Sequence, residues 1–432
     1  MFRYVRVICL RTNAPLPLTQ LVPLTLILLL LSACGTRQLA PIPTPVKTAQ
    51  SIDGTLFVDV TNTHLPTSDL QGFSMDARPV DVDGDGDLDV VIANEYRPNI
   101  LLLNDGVGHF TNVSAQRLPQ ANHDSEDVGI GDLDGDGDPD IMIVSEDDQV
   151  NELYLNNGEG FFTEAGERLP VMGISNAVFV ADIDIDGDQD ILIGNNGQNV
   201  ILINNGNAFF TDETAQRLPV VSDVTQDIEL GDVDGDGDLD LLVGNEDGNR
   251  LLLNHGDGFF VDASEERLPP SQAAEETREA DFGDVDGDGD LDILFANVRL
   301  FVAQAVPRNR LLINRGGGFF RDETRERLPE DRDSSFDGDF VDVDGDRDLD
   351  ILTANLDDIT GRRFHAPYRV YLNNGQGIFE ESTSAVFPSG VTGNGFDIEV
   401  ADFNGDNHID LYLSSRGGPD RLLFWKPNHT GD

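Results

Sequence analysis

The sequence predicts an all-β protein: a seven-bladed β-propeller of four-stranded blades, with the last blade closed by the N-terminal strand. Three observations predict it. The first is an acidic loop written seven times, at 81–89, 132–140, 182–190, 232–240, 284–292, 342–350 and 402–410, with starts 50 to 60 residues apart. That period belongs to blade or solenoid arrays. The second is that each unit reads as four short strands. The third is that the last unit is incomplete and its missing piece stands at the start of the chain.

The fourth unit shows the order. A first strand, Asp227-Ile228-Glu229-Leu230, leads into the loop. A second, Asp240-Leu241-Leu242-Val243, leaves it and is apolar on both faces, as a strand buried between stacked sheets must be. A turn of Asn, Asp and Gly residues (245–249) precedes a third strand, Arg250-Leu251-Leu252-Leu253. A glycine-rich turn (254–258) leads to the fourth, Phe259-Phe260-Val261-Asp262. Arg267-Leu268-Pro269 closes the unit, because proline cannot donate to a ladder. The final unit stops after Arg421-Leu422-Leu423-Phe424-Trp425 without a fourth strand. Residues 54–61 followed by Leu65-Pro66 match Phe260-Val261-Asp262-Ala263-Ser264 followed by Leu268-Pro269 at the same offsets. A unit split between the termini suits a ring, which has no open ends to cap.

Acidic and small residues alternate in each loop. Positions 1, 3, 5 and 9 are Asp81, Asp83, Asp85 and Asp89 in the first copy. The next copies carry Asp132, Asp134, Asp136 and Asp140; Asp182, Asp184, Asp186 and Asp190; Asp232, Asp234, Asp236 and Asp240. The last three carry Asp284, Asp286, Asp288 and Asp292; Asp342, Asp344, Asp346 and Asp350; Asp402, Asn404, Asp406 and Asp410. Alternate carboxylates in a tight turn converge on one hard cation, and calcium takes about six to eight oxygen ligands. Position 7 (Asp87, Asp138, Asp188, Asp238, Asp290, Asp348, His408) offers its backbone carbonyl, with the side chain expected to face water. We expect up to seven Ca2+ ions in structural roles. Position 12 is Ile92, Ile143, Ile193, Val243, Phe295, Thr353 or Leu413, so no EF-hand glutamate is present and the ninth-position Asp must supply the late carboxylate. Loops 6 and 7 are expected to bind more weakly. Arg347 replaces the position-6 glycine in one, and Asn404 and Asn407 remove a charge and a glycine from the other.

These loops and strands resemble the FG-GAP and VCBS-type repeats, shared with the propeller of integrin α subunits and with many bacterial surface proteins. The resemblance covers about residues 54–430 and implies the fold and the calcium. Phe-Gly precedes a loop only at Phe282-Gly283, and Gly194-Asn195 or Ala296-Asn297 stands where Gly-Ala-Pro is usual, which is closest to the bacterial VCBS-like group. No ligand domain is inserted, so integrin biology is not implied.

The formal charge of −52 argues against nucleic acid and anionic lipid surfaces as partners, since both would be repelled. Cysteine is confined to Cys9 and Cys34, so the repeats have no disulfide framework. Residues 1–33 carry Arg3, Arg6 and Arg11, then an apolar run over 21–31 that is short for a bilayer. Leu31-Ser32-Ala33-Cys34-Gly35 is similar to the lipobox of bacterial lipoproteins, which implies cleavage before Cys34 and a lipid on it. Gly35 in place of Asp then implies the outer membrane by the enterobacterial sorting rule. Residues 34–53, with Pro41, Pro43 and Pro45, read as an extended tether to the 54–432 propeller. Membrane contact is expected through the lipid only.

No nucleophile motif, zinc signature or phosphate loop is evident, and we expect no enzyme. The preferred reading is an envelope-anchored binding or adhesion module for a protein or glycan, presenting loops away from the calcium face. Two insertions, 297–309 and 355–369, lengthen the turn after the second strand in neighbouring blades. They supply an expected ligand patch: Arg299, Phe301, Arg362, Arg363, Phe364 and Tyr368. The alternative is packing of the two insertions on each other. Related repeats occur in carbohydrate-binding propellers and some polysaccharide lyases, so a lectin or lyase is the second reading; Tyr368 or His365 beside Arg362 and Arg363 would be its local set. A purely structural scaffold is the third. Finally, Asp76, Asp127, Asp227, Glu279, Asp337 and Asp397 recur in the first strands, with Ala177 breaking the series. They are expected to ring the channel and pair with the arginines of the Arg-Leu-Pro segments, Arg117, Arg168, Arg217, Arg267 and Arg327.

Overall fold

The computed structural model describes residues 55–66, 68–271, 273–330, 333–356 and 366–426. The expected leader, Cys34, the tether, Arg362, Arg363, Phe364 and His365 lie outside the described residues.

The described residues form seven four-stranded antiparallel blades. Blade 4 is typical: Asp223–Gly231, Asp240–Asn245, Arg250–Asn254 and Phe260–Asp262 pair in sequence order. Its second strand is buried along its whole length, as its apolar faces require. Blades 1, 2, 3, 5 and 6 begin with Gln71–Val80, His123–Gly131, Ser175–Ala181, Thr277–Gly283 and Ser334–Val341. In blade 7, Gly395–Ala401, Asp410–Pro419 and Arg421–Trp425 are completed by Phe57–Asp59, with Phe57 opposite Trp425 and Asp59 opposite Leu423. Seven apolar clusters fill the clefts between neighbouring blades. Leu242, Leu251, Ala280 and Phe295 join blades 4 and 5. Ala401, Phe403, Tyr412 and Leu422 meet Ala77, Val90, Ile92 and Leu102 between blades 7 and 1, which closes the ring.

Two regular features were not expected from the sequence. The segment after the fourth strand forms a one-turn helix, as at Ser264–Arg267. Asp262 accepts the Ser264 amide at 2.9 Å, and the Ser264 hydroxyl accepts the Leu251 amide of the third strand at 3.0 Å. Thr214, Thr324 and Thr383 repeat this, and Thr61 does the same for Leu422 across the ring closure at 3.0 Å. The second is a register shift in every first strand, as between Ser74 and Asp76 or Thr225 and Asp227. A bulge re-aims the residue it displaces.

An asparagine staples most turns after the second strand. Asn249 accepts the Asn245 amide at 2.9 Å and donates to Thr277 of the next blade at 2.9 Å; Asn309 and Ser335 repeat the second contact at 2.8 Å. Blade 7 has Asp420 instead, fully buried, accepting from Ser415, Ser74 and Tyr412 at 2.9, 2.7 and 2.8 Å. Burial pushes its carboxyl up to about 6. A raised carboxyl binds a proton more tightly in the folded state, so its contribution to stability is lost as pH rises from about 4 to about 6. We expect Asp420→Asn, which can donate to Ser74 as Asn309 does to Ser335, to raise stability at neutral pH by roughly 1–3 kcal/mol. The difference from wild type should vanish near pH 4 in denaturant titrations.

Candidate calcium loops and a cavity at the channel mouth

Each loop is braced by its first carboxylate. Asp81 accepts the Gly84 amide at 2.8 Å and the Gly86 amide at 3.0 Å, and Asp132, Asp232 and Asp284 repeat the pattern. Carboxylate oxygens of Asp81, Asp83 and Asp85 lie within 4.8 Å of one another, as do those of Asp132, Asp134 and Asp136. The ninth-position Asp is buried and holds at least two amides in every blade: Asp89 takes Val82 and Asn104, and Asp410 takes Phe403, Asn404 and Trp425. This stapling role was not foreseen. In five of the blades each oxygen takes one amide and keeps a second lone pair for ligation. One oxygen of Asp140 takes two amides, and both oxygens of Asp410 take two hydrogen bonds, the latter adding to the weaker binding expected of loop 7. Burial pushes these carboxyls up to about 7, and Asp350 to about 8.

The arginines of the Arg-Leu-Pro segments do not pair with the channel acids. Arg117, Arg217 and Arg327 instead donate to the position-3 carboxylates Asp83, Asp184 and Asp286 at 3.2, 3.0 and 3.0 Å. Four of the five also stack on the next blade, over Phe161, Phe209, Phe259 and Phe319. The reason is distance along the strand: the segment returns beside the loop, not beside the channel.

The second oxygens of Asp83, Asp184 and Asp286 are buried and have no hydrogen-bond partner. Buried acceptors left unmade are costly, and a hard cation at the loop centre would satisfy them. The residues therefore fit calcium. Positions 1, 3, 5 and 9 would hold it, and it would neutralise carboxylates that otherwise repel. The position-7 carboxylates do not simply face water, since several lie against a glycine of the following turn. Asp87 lies against Gly106 of its own blade, where any β-carbon would collide with it, and Asp138, Asp188 and Asp348 meet Gly158, Gly206 and Gly375 likewise.

Position 6 is left-handed in all seven loops, including Arg347 at φ +78° and Asn407 at φ +64°. Position 4 is left-handed as well, and loop 3 places the exposed Ile185 there at φ +62°. A branched side chain in that region costs roughly 1–2 kcal/mol. We expect Ile185→Gly and Arg347→Gly each to gain about 1 kcal/mol in stability, less glycine's own entropic cost, and to raise calcium affinity in titration calorimetry.

The channel acids serve the blades directly. Asp397, Asp76, Asp127 and Asp227 each accept an amide from the next blade's first strand, at Ala77, Val128, Val178 and Ala280, at 2.7–3.2 Å. Two of them, Asp76 and Asp127, also pair with Arg78, at 3.1 and 3.2 Å, and Arg78 reaches Glu399 as well.

Beyond this plug, on the side away from the loops, the channel opens into a cavity of about 580 Å3 lined by all seven blades. The bulged residues furnish its walls, and they differ from blade to blade. Arg278, Phe336, Phe396 and Met75 face Glu126, Asn176 and Gln226. Arg278 lies 5.2 Å from the Phe301 ring and pairs with Glu246 at 2.8 Å, while its buried Nε has no acceptor.

Of the expected patch, Phe301 lines this cavity and is 71% exposed. Its insertion is well held: Leu300, Phe301 and Val302 all donate to the buried Glu276 carboxylate, at 2.8–3.1 Å. Burial opposes ionisation of Glu276, but these amides and Arg278 outweigh it and hold the carboxyl below its usual value. Arg299 is exposed and outside the cavity lining. Tyr368 is not a ligand residue. It is 1% exposed, packs with Leu352, Ala354, Val386 and Ile398 between blades 6 and 7, and donates to the Ser414 carbonyl at 3.2 Å. An apolar ring beside a glycine-rich strand fills the inter-blade core rather than reaching solvent, which also removes Tyr368 as a lyase base. Neighbouring Ala366–Pro367 pairs with Thr392–Gly393 of blade 7. Arg278, Phe336, Phe396 and Glu126 were missed, because no spacing rule marks a bulge.

Comparison with known proteins agrees with this architecture. The FG-GAP-like repeat matches residues 81–143, 132–193, 182–243, 232–295 and 355–413. No curated protein matches the chain. Among solved structures, BBS1N, determined in complex with ARL6DN, is similar with a TM-score of 0.53 at 12% identity, covering 87% of this chain and 98% of that one. YCF48 from Cyanidioschyzon merolae has a TM-score of 0.48 at 12% identity, covering 87% and 100%. A lectin from Agrocybe aegerita that recognises non-reducing terminal N-acetylglucosamine has a TM-score of 0.43 at 19% identity, covering 82% and 90%. With seven loop-bearing blades closed by the N-terminal strand and the repeat matched over more than half its length, this chain is a β-propeller of the FG-GAP-like repeat family.

Proposed function

We propose that this protein is a calcium-stabilised binding module of the bacterial envelope, anchored by a lipid on Cys34, that takes a protein or glycan ligand at the channel mouth. The observation that carries the reading is the cavity of about 580 Å3, a size suited to a small ligand or the tip of a larger one. Its lining is chemically uneven, with an exposed Phe301 beside Arg278 on one wall and acids and amides on the other. Aromatic and arginine anchors are the residues that dominate recognition energies. The loops lie at the other end of the blades, where bound calcium would stiffen the ring without entering the site.

The test uses the full chain against panels of polysaccharides and envelope proteins, in calcium and in EGTA, recording bound protein and any new chain ends. We expect calcium-dependent binding without cleavage, weakened at least tenfold by Phe301→Ala, a loss of about 1.4 kcal/mol. Binding indifferent to Phe301→Ala would move the site elsewhere, and new chain ends would replace the module by an enzyme. Cys34→Ser should release the protein from the membrane fraction; retention would sink the anchor.

A further inference from the structure

At the wall of the cavity between blades 1 and 2 a facing pair of acids is joined by an acidic bulged residue, whereas between blades 4 and 5 the matching Glu246 and Glu276 are both paired with the bulged Arg278. Glu95 stands near the end of the second strand of blade 1, Asp89–Arg97, and lies directly opposite Asp124 in the first strand of blade 2. Equivalent pairs elsewhere include Asn196 with Val224 and Phe73 with Arg416. Like charges facing each other across a ladder are destabilising. Here both are buried, Glu95 at 6% exposure and Asp124 at 1%. The bulged Glu126 joins them, and carboxylate oxygens of all three lie within 4.8 Å of one another.

Their existing partners do not neutralise the group. Arg416 of blade 7 pairs with one oxygen of Glu95, and the Asp147 amide donates to one oxygen of Asp124 at 3.1 Å. The other oxygens of Glu95 and Asp124 are buried and have no hydrogen-bond partner. Glu146 adds a further negative charge to the same wall. Two orphaned buried acceptors on nearly inaccessible side chains, with a third carboxylate beside them, make an oxygen-only donor set; Glu95 and Glu126 line the water-accessible cavity and Asp124 lies behind them. A hard divalent cation satisfies such a set, keeping its remaining positions for water or a ligand.

We propose that Glu95, Asp124 and Glu126 form a divalent-cation site, separate from the seven loops, at the channel mouth. The site takes calcium, with manganese as its spectroscopic and diffraction substitute. An ion held there sits where a cavity ligand could complete its coordination. The site does not depend on the identity of that ligand, so failure of the binding screen would leave it standing.

The decisive experiment compares the full chain with Glu126→Gln in EGTA and in millimolar calcium at matched ionic strength. Glu126 is only partly buried, so the variant is expected to fold. In EGTA the substitution relieves repulsion and raises the melting temperature. In calcium it removes a ligand, so the gain shrinks or reverses. Loop-bound calcium acts equally on both proteins and cancels from the comparison. A gain of the same size in both buffers would overturn the site. Anomalous diffraction from manganese-soaked crystals gives an independent readout. A peak among Glu95, Asp124 and Glu126 that Glu126→Gln removes while loop peaks persist supports the proposal. Loop peaks without it would overturn the proposal.

Discussion

Deleting residues 54–66 is expected to lower the melting temperature by tens of degrees or to abolish cooperative folding. The segment is short, but it finishes a blade. Phe57–Asp59 pairs along Leu423–Trp425, and the Val60 amide and Thr61 hydroxyl extend the contact to Leu422. The Leu56 amide donates to Val386, and its carbonyl accepts from Lys426. Leu56 and Phe57 are buried in the cluster between blades 6 and 7, where Phe57 meets Trp425 and Phe387 edge to face. Leu65 is buried in the next cluster, between blades 7 and 1. Three such side chains contribute roughly 1.5–3 kcal/mol each. Their sum is of the same order as a whole domain's stability of about 5–15 kcal/mol. The deletion also exposes the edge of Arg421–Trp425, an aggregation hazard. Phe57→Ala is the milder version and should cost about 3–5 kcal/mol by denaturant titration. An unchanged midpoint for the deletion would contradict closure of the ring by this strand.

Removing calcium is expected to have an effect of similar size. Extracellular calcium modules typically bind in the range of about 10⁻⁴–10⁻³ M. At a tenfold excess of free ion, mass action stabilises by about 1.4 kcal/mol per site. Seven loops of that affinity would supply roughly 10 kcal/mol. The bracing of Asp81 and its equivalents shows how a turn can hold its shape from its own amides, but it leaves the position-3 oxygens of Asp83, Asp184 and Asp286 unsatisfied. Calorimetry in millimolar calcium and in EGTA, with magnesium as the control, should show a large calcium-specific fall in the midpoint on chelation. Equal midpoints in the two buffers would reduce the loops to hydrogen-bonded turns.

Much of this molecule was legible because its information is local and repeated. Alternating aspartates and glycines fix a turn within nine residues, apolar runs on both faces mark buried strands, and matching offsets at the two ends reveal a divided blade. Even so, local reading misassigned partners. The arginines of the Arg-Leu-Pro segments look like natural counterions for the channel acids, yet they clamp Asp83, Asp184 and Asp286 at the outer loops. The acids are served by backbone amides of the next blade and by Arg78. Tyr368 stands in an insertion rich in polar residues, yet it is core.

The amino-acid sequence by itself determined the blade, its metal-suited loop and the closure of the ring, since each depends on contacts within one unit or between equivalent units. The tertiary structure decided the channel mouth. There, residues displaced by seven bulges meet across the axis, and Glu126, Arg278, Phe336 and Phe396 are non-equivalent side chains brought together from different blades. Their juxtaposition is set by the ring's symmetry acting on a sequence that is not symmetric at those positions. No pattern along the chain records which of them face one another.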